Sequence, residues 1–383
     1  MSFVRMTVMG LSVMLAGAAQ AQDQAAEVEL PRQMSWTAYD TGSAGFNQAV
    51  AIGGEMQKAF GTSLRVLPGK NDISRMEPLR QGRVEFSATG VGGSFMAQEG
   101  AFEFGEAKWG PQPVRLLLAN NGGDIGLSVA VAGDLGIESY ADLAGKRIAW
   151  IAGAPGLNVN MDAYLAYAGL TWDDVERVEF GGYGASWTGL IEGQVDAVFG
   201  STNSGPAYEA ASGPRGIAWP AMDLEDEAAF KRMTDIAPFY TPTHITVGAE
   251  IDGTDGVDGA AYPYPVLIAV EETDADLVYN MTRAMVELFP SYDGKVPGID
   301  GWSLDTQNFS WVVPYHDGAI RYFEEAGVWS DEAQAHNDEL VERQRVLQEA
   351  WAALKDEKPD DWDSAWAERR RQVLGDAGLQ VVF

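Results

Sequence analysis

The sequence predicts an α/β fold in two lobes, each a mixed, parallel-rich sheet flanked by helices, followed by a C-terminal helical extension. Three observations predict it. Short apolar strands alternate with amphipathic helices over most of the chain, which is the pattern of sheets covered on both faces. The stretch "LRVLPGKNDISRMEPLRQGRVEFSATG" has a counterpart in "VERVEFGGYGASWTGLIEGQVDAVFGST". Each reads strand, glycine turn, helix ending in Gly, then a strand led by Val, as expected of two similar units. At 383 residues the chain exceeds one small core and suits two domains.

The elements follow in order. "MSFVRMTVMGLSVMLAGAAQAQD" carries Arg5, an apolar run from Met6 to Ala18 and the small-x-small pattern Ala19-Gln20-Ala21. It reads as a signal peptide, residues 1–21, on an exported, periplasmic protein. The run is too short to span a bilayer comfortably, so no membrane insertion is expected after cleavage. A polar tail over 22–32 leads to a strand around Ser35 to Tyr39, a loop Asp40 to Gly45 and a helix to Phe60. "SLRVLPG" reads as a strand, "DISRMEPLRQG" as a short helix stopped by Gly82, and "RVEFSATG" as a strand. Strands at Val114 to Ala119 and Leu127 to Ala132 flank a Gly/Asn/Asp kink. A helix through Ala141 and Leu143 stops at Gly145 before the strand and glycine turn of "RIAWIAGAPGLNVN". Asp223 to Thr234 is helical. "APFYTPTHITVG" and "YPYPVLIAVE" read as strands separated by the Gly/Asp-rich "IDGTDGVDGAA". Leu277, Met281, Met285 and Leu288 mark an amphipathic helix. Residues 331–376 read as two charged helices, the first burying Leu340, Leu347, Trp351 and Leu354.

Composition narrows the function. Acidic residues outnumber basic ones 56 to 26, and this field repels nucleic acid and anionic lipid. The absence of cysteine excludes disulfides, thiolate nucleophiles and a lipid anchor on cysteine. "GAPGLNVN" and "TGSAG" follow strands and open helices, yet neither completes a P-loop or a dinucleotide fingerprint. No Gly-x-Ser-x-Gly is present, and His244, His316 and His336 do not form a zinc-binding pair, so neither a catalytic centre nor a metal or cofactor is expected. Asp252, Asp255 and Asp258 stand three apart; the spacing is not that of an EF-hand, and a solvated turn is the plainer reading beside a calcium loop.

What remains is a set of hydrogen-bonding residues at βα loops: Thr41, Ser43, Asn71, Ser74, Thr89, Asn158, Asn160, Ser186, Ser201, Thr202, Asn203 and Ser204. Tyr39, Phe46, Tyr183, Trp187 and Tyr240 stand beside them. Any one of these fits a cap or turn; together, at helix starts, they suit a small polar ligand that is bound and not transformed.

With "SYADLAGKRIAWIAGAPG", "WDDVERVEFGGYGASWTGLIEGQVDAVFG", "APFYTPTHITVG" and "YHDGAIRYFEEAGVW" in series, the chain resembles the TAXI solute receptors of TRAP transporters from about Ser35 to Trp329. The resemblance implies a type II-like periplasmic binding protein fold: lobe one from 33–124 plus 239–330, lobe two from 125–238, and an extension over 331–383. It implies a monomeric receptor, not an enzyme, that closes on a small organic anion and hands it to a TRAP permease. The implied ligand residues are Thr41, Ser43, Phe46, Asn71, Ser74, Thr89, Gly156, Asn158, Ser186, Trp187, Ser201, Thr202, Asn203 and Tyr240, with the turn at Gly156 offering N–H groups to a carboxylate. Family members often bind a glutamate-like ligand. Leu157 and Asn158 here replace the family's hydroxyl-bearing Ser-Gly-Thr continuation, Phe46 and Asn47 replace a tyrosine pair, and Thr89-Gly90-Val91 replaces a more polar loop. These changes point to a smaller or less polar acid. Arg75 and Lys70 are the cations nearest the second loop. The alternatives are a periplasmic deaminase or hydrolase on the same scaffold, and a sensor for a membrane histidine kinase.

Overall fold

A computed structural model describes residues 28–122 and 124–383; the expected signal peptide lies outside the described residues. In chain order the elements are β1 (Gln33–Ala38), α1 (Ala44–Phe60), β2 (Ser63–Pro68), α2 (Asp72–Arg80), β3 (Phe86–Thr89), the single turn α3 (Ala97–Glu99), β4 (Val114–Ala119), β5 (Leu127–Ala132), β6 (Arg147–Ile151), α4 (Pro155–Tyr167), β7 (Glu176–Phe180), α5 (Tyr183–Ile191), β8 (Ala197–Ser201), α6 (Gly205–Ala211), β9 (Ile217–Ala218), α7 (Glu227–Ile236), β10 (Thr241–Ile245), β11 (Val257–Ala261), β12 (Val266–Val270), α8 (Ala275–Tyr292), α9 (Asp317–Glu325), α10 (Asp331–Glu357) and α11 (Trp362–Asp376).

Two five-stranded sheets form the cores of two lobes. The first has the order β2-β1-β3-β12-β4, the second β7-β6-β8-β5-β9. In the first, β1 runs parallel to β2 and β3, while β12 is antiparallel to β3 and β4. In the second, β6 runs parallel to β7 and β8, while β5 is antiparallel to β8. The two arrangements are the same, with β2-α2-β3 standing where β7-α5-β8 stands, so the internal repeat in the sequence is a repeat in space. Every residue of β4 and β5 is buried, which is why "VRLLLA" and "LSVAVA" read as apolar runs, interrupted only by Arg115 and Ser128, and not as alternating ones.

The chain crosses between lobes twice. The crossings pair through the Asn120 N–H on the Pro265 carbonyl at 2.9 Å and the Tyr264 N–H on the Asn120 carbonyl at 2.7 Å. The sequence puts the return crossing near Pro238. In the structure, β10 and β11 first form a hairpin held by the second lobe: Ala249 N–H donates to the Thr202 carbonyl at 2.9 Å, and Met222 N–H to the Asp258 carbonyl at 2.9 Å. The expected Gly/Asp loop thus contains β11. Gly259 and the alanines after it carry little strand signal of their own, and pairing with β10 supplies it.

The extension packs on the first lobe. Leu347, Trp351 and Leu354 of α10 are buried as expected, and Leu340 is half-buried. Glu99, fully buried at the end of α3, receives Arg343 Nε at 2.6 Å and Nη2 at 2.7 Å from α10, and Arg370 Nη2 at 2.6 Å from α11. The Trp366 indole N–H donates to the Gly100 carbonyl at 2.6 Å.

Candidate functional site

Loops at the carboxyl ends of the parallel strands of both sheets meet face to face. This is where open α/β sheets place ligands, because helix N-termini with free N–H groups gather there. The first-lobe helices supply their own caps. Ser43 Oγ accepts from Phe46 N–H at 3.2 Å at the start of α1, and Asn71 and Ser74 form a reciprocal capping box on α2.

In the second lobe, α4 starts after Ala154 and α5 after Gly182, and neither has a side-chain cap from its own segment. Their donors are met from across the crevice. Gly156 N–H donates to Asp72 Oδ2 at 2.9 Å, and Gly184 N–H to Asp40 Oδ2 at 3.3 Å. Tyr183 N–H reaches the Lys70 carbonyl at 3.1 Å, and Gly205 N–H, opening α6, reaches the Gly42 carbonyl at 3.1 Å. First-lobe oxygens therefore fill the anion-favouring ends of three second-lobe helices.

Asp72 is the centre of this contact. It is fully buried and paired with Arg75, which is also fully buried one turn along the same helix. Arg75 donates to the Gly69 carbonyl at 3.1 Å, and its guanidinium carbon sits 3.5 Å from the centre of the Tyr39 ring. Burial pushes the Asp72 carboxyl above its usual range and outweighs the opposing pull of Arg75 and the Gly156 N–H. Two glycines make the approach possible. A Cβ on Gly92 would collide with the Asp72 carboxylate, and a Cβ on Gly156 would lie 2.7 Å from the Gly92 nitrogen.

Phenols line the space beside the pair. The rings of Tyr39 and Tyr264 lie edge to face at 5.3 Å. Asn160 Nδ2 donates to the Tyr262 hydroxyl at 2.7 Å, and the Tyr183 hydroxyl to Ser204 Oγ at 3.3 Å. Burial raises all four phenols, that of Tyr183 to about 12, so they are neutral donors at any physiological pH. Among them, buried polar atoms have no partner among the described residues: Thr89 Oγ1, Arg75 Nε, Asn160 Oδ1 and Trp187 Nε1. Such atoms are costly unless a ligand or water meets them.

The residues expected to bind ligand divide three ways. Thr89 and Trp187 are buried with free polar atoms, and Gly156 directs its N–H into the interlobe contact. Ser43, Asn71, Ser74, Ser186, Ser201, Thr202, Asn203 and Tyr240 spend their polar groups on the protein. Ser186 donates to the Tyr183 carbonyl at 2.7 Å, Thr202 to the Val247 carbonyl at 2.7 Å, Asn203 to the Pro297 carbonyl at 2.8 Å, and Tyr240 to the Leu127 carbonyl at 3.2 Å. Ser201 Oγ donates to Asn203 Oδ1. Asn71 also crosses the crevice, its Nδ2 donating to the Ala152 carbonyl at 2.9 Å, as Asn203 does toward Pro297 of the first lobe.

Thr41 is exposed, between Asp40 and Gly42, which both bond across the crevice, and Phe46 lines a groove with Val50 and Gly53. Asn158 faces back. Its Oδ1 accepts from Ile151 N–H and its Nδ2 donates to the Ile151 carbonyl, both at 2.9 Å, so it ties α4 to β6 as a further strand residue would. The sequence reading missed Asp72, because an acid in the first turn of a helix looks like a dipole partner. The i,i+3 spacing of Asp72 and Arg75 was the available signal.

The other flagged groups lie elsewhere. His244 pairs with Asp258 at 2.6 Å on the β10–β11 hairpin, His316 caps α9, and His336 bonds the Trp311 carbonyl at 2.6 Å. Asp252 accepts from Gly248 N–H and the Tyr208 hydroxyl, so it and Asp258 serve different partners.

The profile of the NMT1-like family matches residues 49–327, well over half of the chain. The chain is also similar to solved structures at low identity. A Bordetella bronchiseptica RB50 protein is 16% identical, with a TM-score of 0.45 over 81% of this chain and 98% of its own. An ancestral arginine-binding protein bound to arginine is 15% identical, with 0.43 over 72% and 99%. The alkanesulfonate-binding protein of Xanthomonas axonopodis pv. citri bound to MOPS is 14% identical, with 0.43 over 81% and 83%.

Proposed function

This chain belongs to the NMT1-like family, and from that premise we propose that it is a solute receptor, exported to the periplasm, that closes on a small organic acid and delivers it to a membrane transporter. Its lobes hinge at residues 120–122, 124–126 and 262–265. The observation that carries the reading is the carboxylate of Asp72 bridging Arg75 and the uncapped start of α4. A carboxylate at that point joins the two lobes. When the lobes part, Asp72 stays with Arg75 and the Gly156 N–H is freed for an acid of the cargo, with the free atoms of Thr89, Asn160 and Trp187 to receive the rest of the molecule.

The neutral phenols and the histidines engaged outside the crevice favour holding over transforming. Among the described residues no helix is long and apolar enough to cross a membrane, which fits a receptor that meets its permease as a separate protein. The ion-coupled TRAP permease suggested by the sequence resemblance is the transporter we propose.

The test is a thermal-shift screen against mono- and dicarboxylates, 2-oxo acids, amino acids and sulfonates. A ligand at 100 times its dissociation constant adds about 2.7 kcal/mol of stability, readable as a shift of several degrees. One acid raising the melting temperature, recovered unchanged, supports the receptor. An acid recovered altered overturns it in favour of an enzyme, and no shift with any acid removes the acid as cargo.

A further inference from the structure

Beside the interlobe contact, and not used by it, lies a pocket of about 130 Å³ whose walls come from both lobes. The first lobe contributes Phe102 and Glu103, the second Trp150, Pro155, Asp162 and Trp172. Three aromatic rings and two carboxylates line it, with no basic side chain among them. The two indoles stand edge to face at 5.1 Å, so two ring planes bound the space in different directions. Phe102 holds a left-handed backbone, with φ of 55°, and is 47% exposed, an arrangement an aromatic residue adopts at a cost.

We propose that this pocket is a binding site for a small alkylammonium cation, a use that goes beyond the receptor reading and does not depend on it. Indole faces attract a cation through the ring quadrupole, and alkylated ammonium groups suit them because their methyl groups shed water cheaply. The Trp150 ring already shows that attraction: the Arg177 guanidinium carbon lies 4.8 Å from its centre, from outside the pocket. The carboxylates lack a counter-charge. Burial raises Asp162 with nothing to offset it, and burial raises Glu103 with only backbone N–H groups, its own and that of Gly153, opposing. A cation between them relieves that cost. A neutral or anionic occupant does not. The net charge of −30 also raises the local concentration of cations at the surface.

The probe is tetramethylammonium chloride, followed by tryptophan fluorescence and calorimetry, with sodium chloride at equal ionic strength and neopentyl alcohol as the neutral isostere. Saturable binding is expected, at least about ten-fold tighter than for the alcohol. Asp162→Asn, at a half-buried helix position that leaves the fold intact, should weaken it several-fold, and Trp172→Ala about ten-fold. Absence of saturation up to about 100 mM, equal binding of the alcohol, or affinity unchanged in Asp162→Asn would each overturn the proposal. Circular dichroism of Trp172→Ala separates a lost wall from a lost fold, and the Asp162→Asn result stands without it.

Discussion

Two carboxylates of the first lobe are completely buried, and they are held in different ways. Glu99 sits between Arg343 and Arg370, which come from two helices of the extension, and both of its oxygens are engaged by charged donors. Asp72 is paired with Arg75 on its own helix and reaches the other lobe through a single backbone N–H. The first contact cannot part without stranding three buried charges. The second can part and leave the ion pair whole on the first lobe. The extension is therefore fused to lobe one, while the Asp72 contact across the crevice is the more separable of the two.

Breaking the fused contact should have the largest effect. Glu99→Ala leaves two buried arginines without a counter-charge, holding only backbone carbonyls, and loss of one member of such a group costs about 3–5 kcal/mol. Equilibrium denaturation should show that loss, together with faster proteolysis of residues 331–383. A cost under about 1 kcal/mol would mean that the aromatic packing of Trp351, Trp362 and Trp366, whose rings meet at 4.6 and 4.7 Å, holds the extension alone.

Asn158→Ala comes next and separates structure from site. It strands the Ile151 N–H, while the Ile151 carbonyl keeps the Ala154 N–H, and should cost about 2 kcal/mol of stability. Ligand affinity, measured at a temperature where the variant is folded, should not change. A weakened affinity at unchanged stability would return Asn158 to the binding site, where its position after Gly156 first put it.

How much of this was legible in the sequence follows from what each residue answers to. The repeat, the strand runs and the helix stops at glycine were readable, because periodicity and left-handed turns are set within a few residues. The hinge side of the hairpin was not, since β11 is a strand only through its partner β10. At the site, the sequence marks positions but not roles. Asn71 and Ser74 stand at the crevice, but a helix start needs a cap as much as a ligand does, and the sequence does not say which need a hydroxyl or amide meets. Asp72 and Asp40 were invisible as cross-lobe caps because their partners lie more than a hundred residues away or, for Gly156, on a loop that itself looked ready for a ligand.

Asp72→Asn tests the contact that opens. The amide keeps the shape and an acceptor oxygen for Gly156 N–H, and Arg75 keeps the Gly69 carbonyl and the Tyr39 face. The expected loss is about 1–2 kcal/mol, smaller than for Glu99→Ala, with solution scattering moved toward a wider molecule because a neutral acceptor binds a helix start less well. A scattering profile identical to that of the parent would show that the lobes are held by the other crevice bonds and that Asp72 is no latch.

The pH dependence sharpens the point with the smallest effect. Burial places the folded-state pKa of Asp72 above its unfolded value. A group shifted in that direction contributes stability that is fully present below the unfolded pKa and is lost as pH rises through the folded one. The stability of the parent relative to Asp72→Asn should therefore be greatest below the ordinary carboxylate range and should decline as pH rises through the carboxylate's raised pKa. The protonated acid is also the poorer acceptor for Gly156 N–H, so the same acid that favours the folded chain should loosen the closed crevice. Denaturation and scattering measured across that range should thus move in opposite senses. If both followed pH together, the carboxylate would be ionised throughout, its pairing with Arg75 would outweigh its burial, and the latch would work as a fixed ion pair.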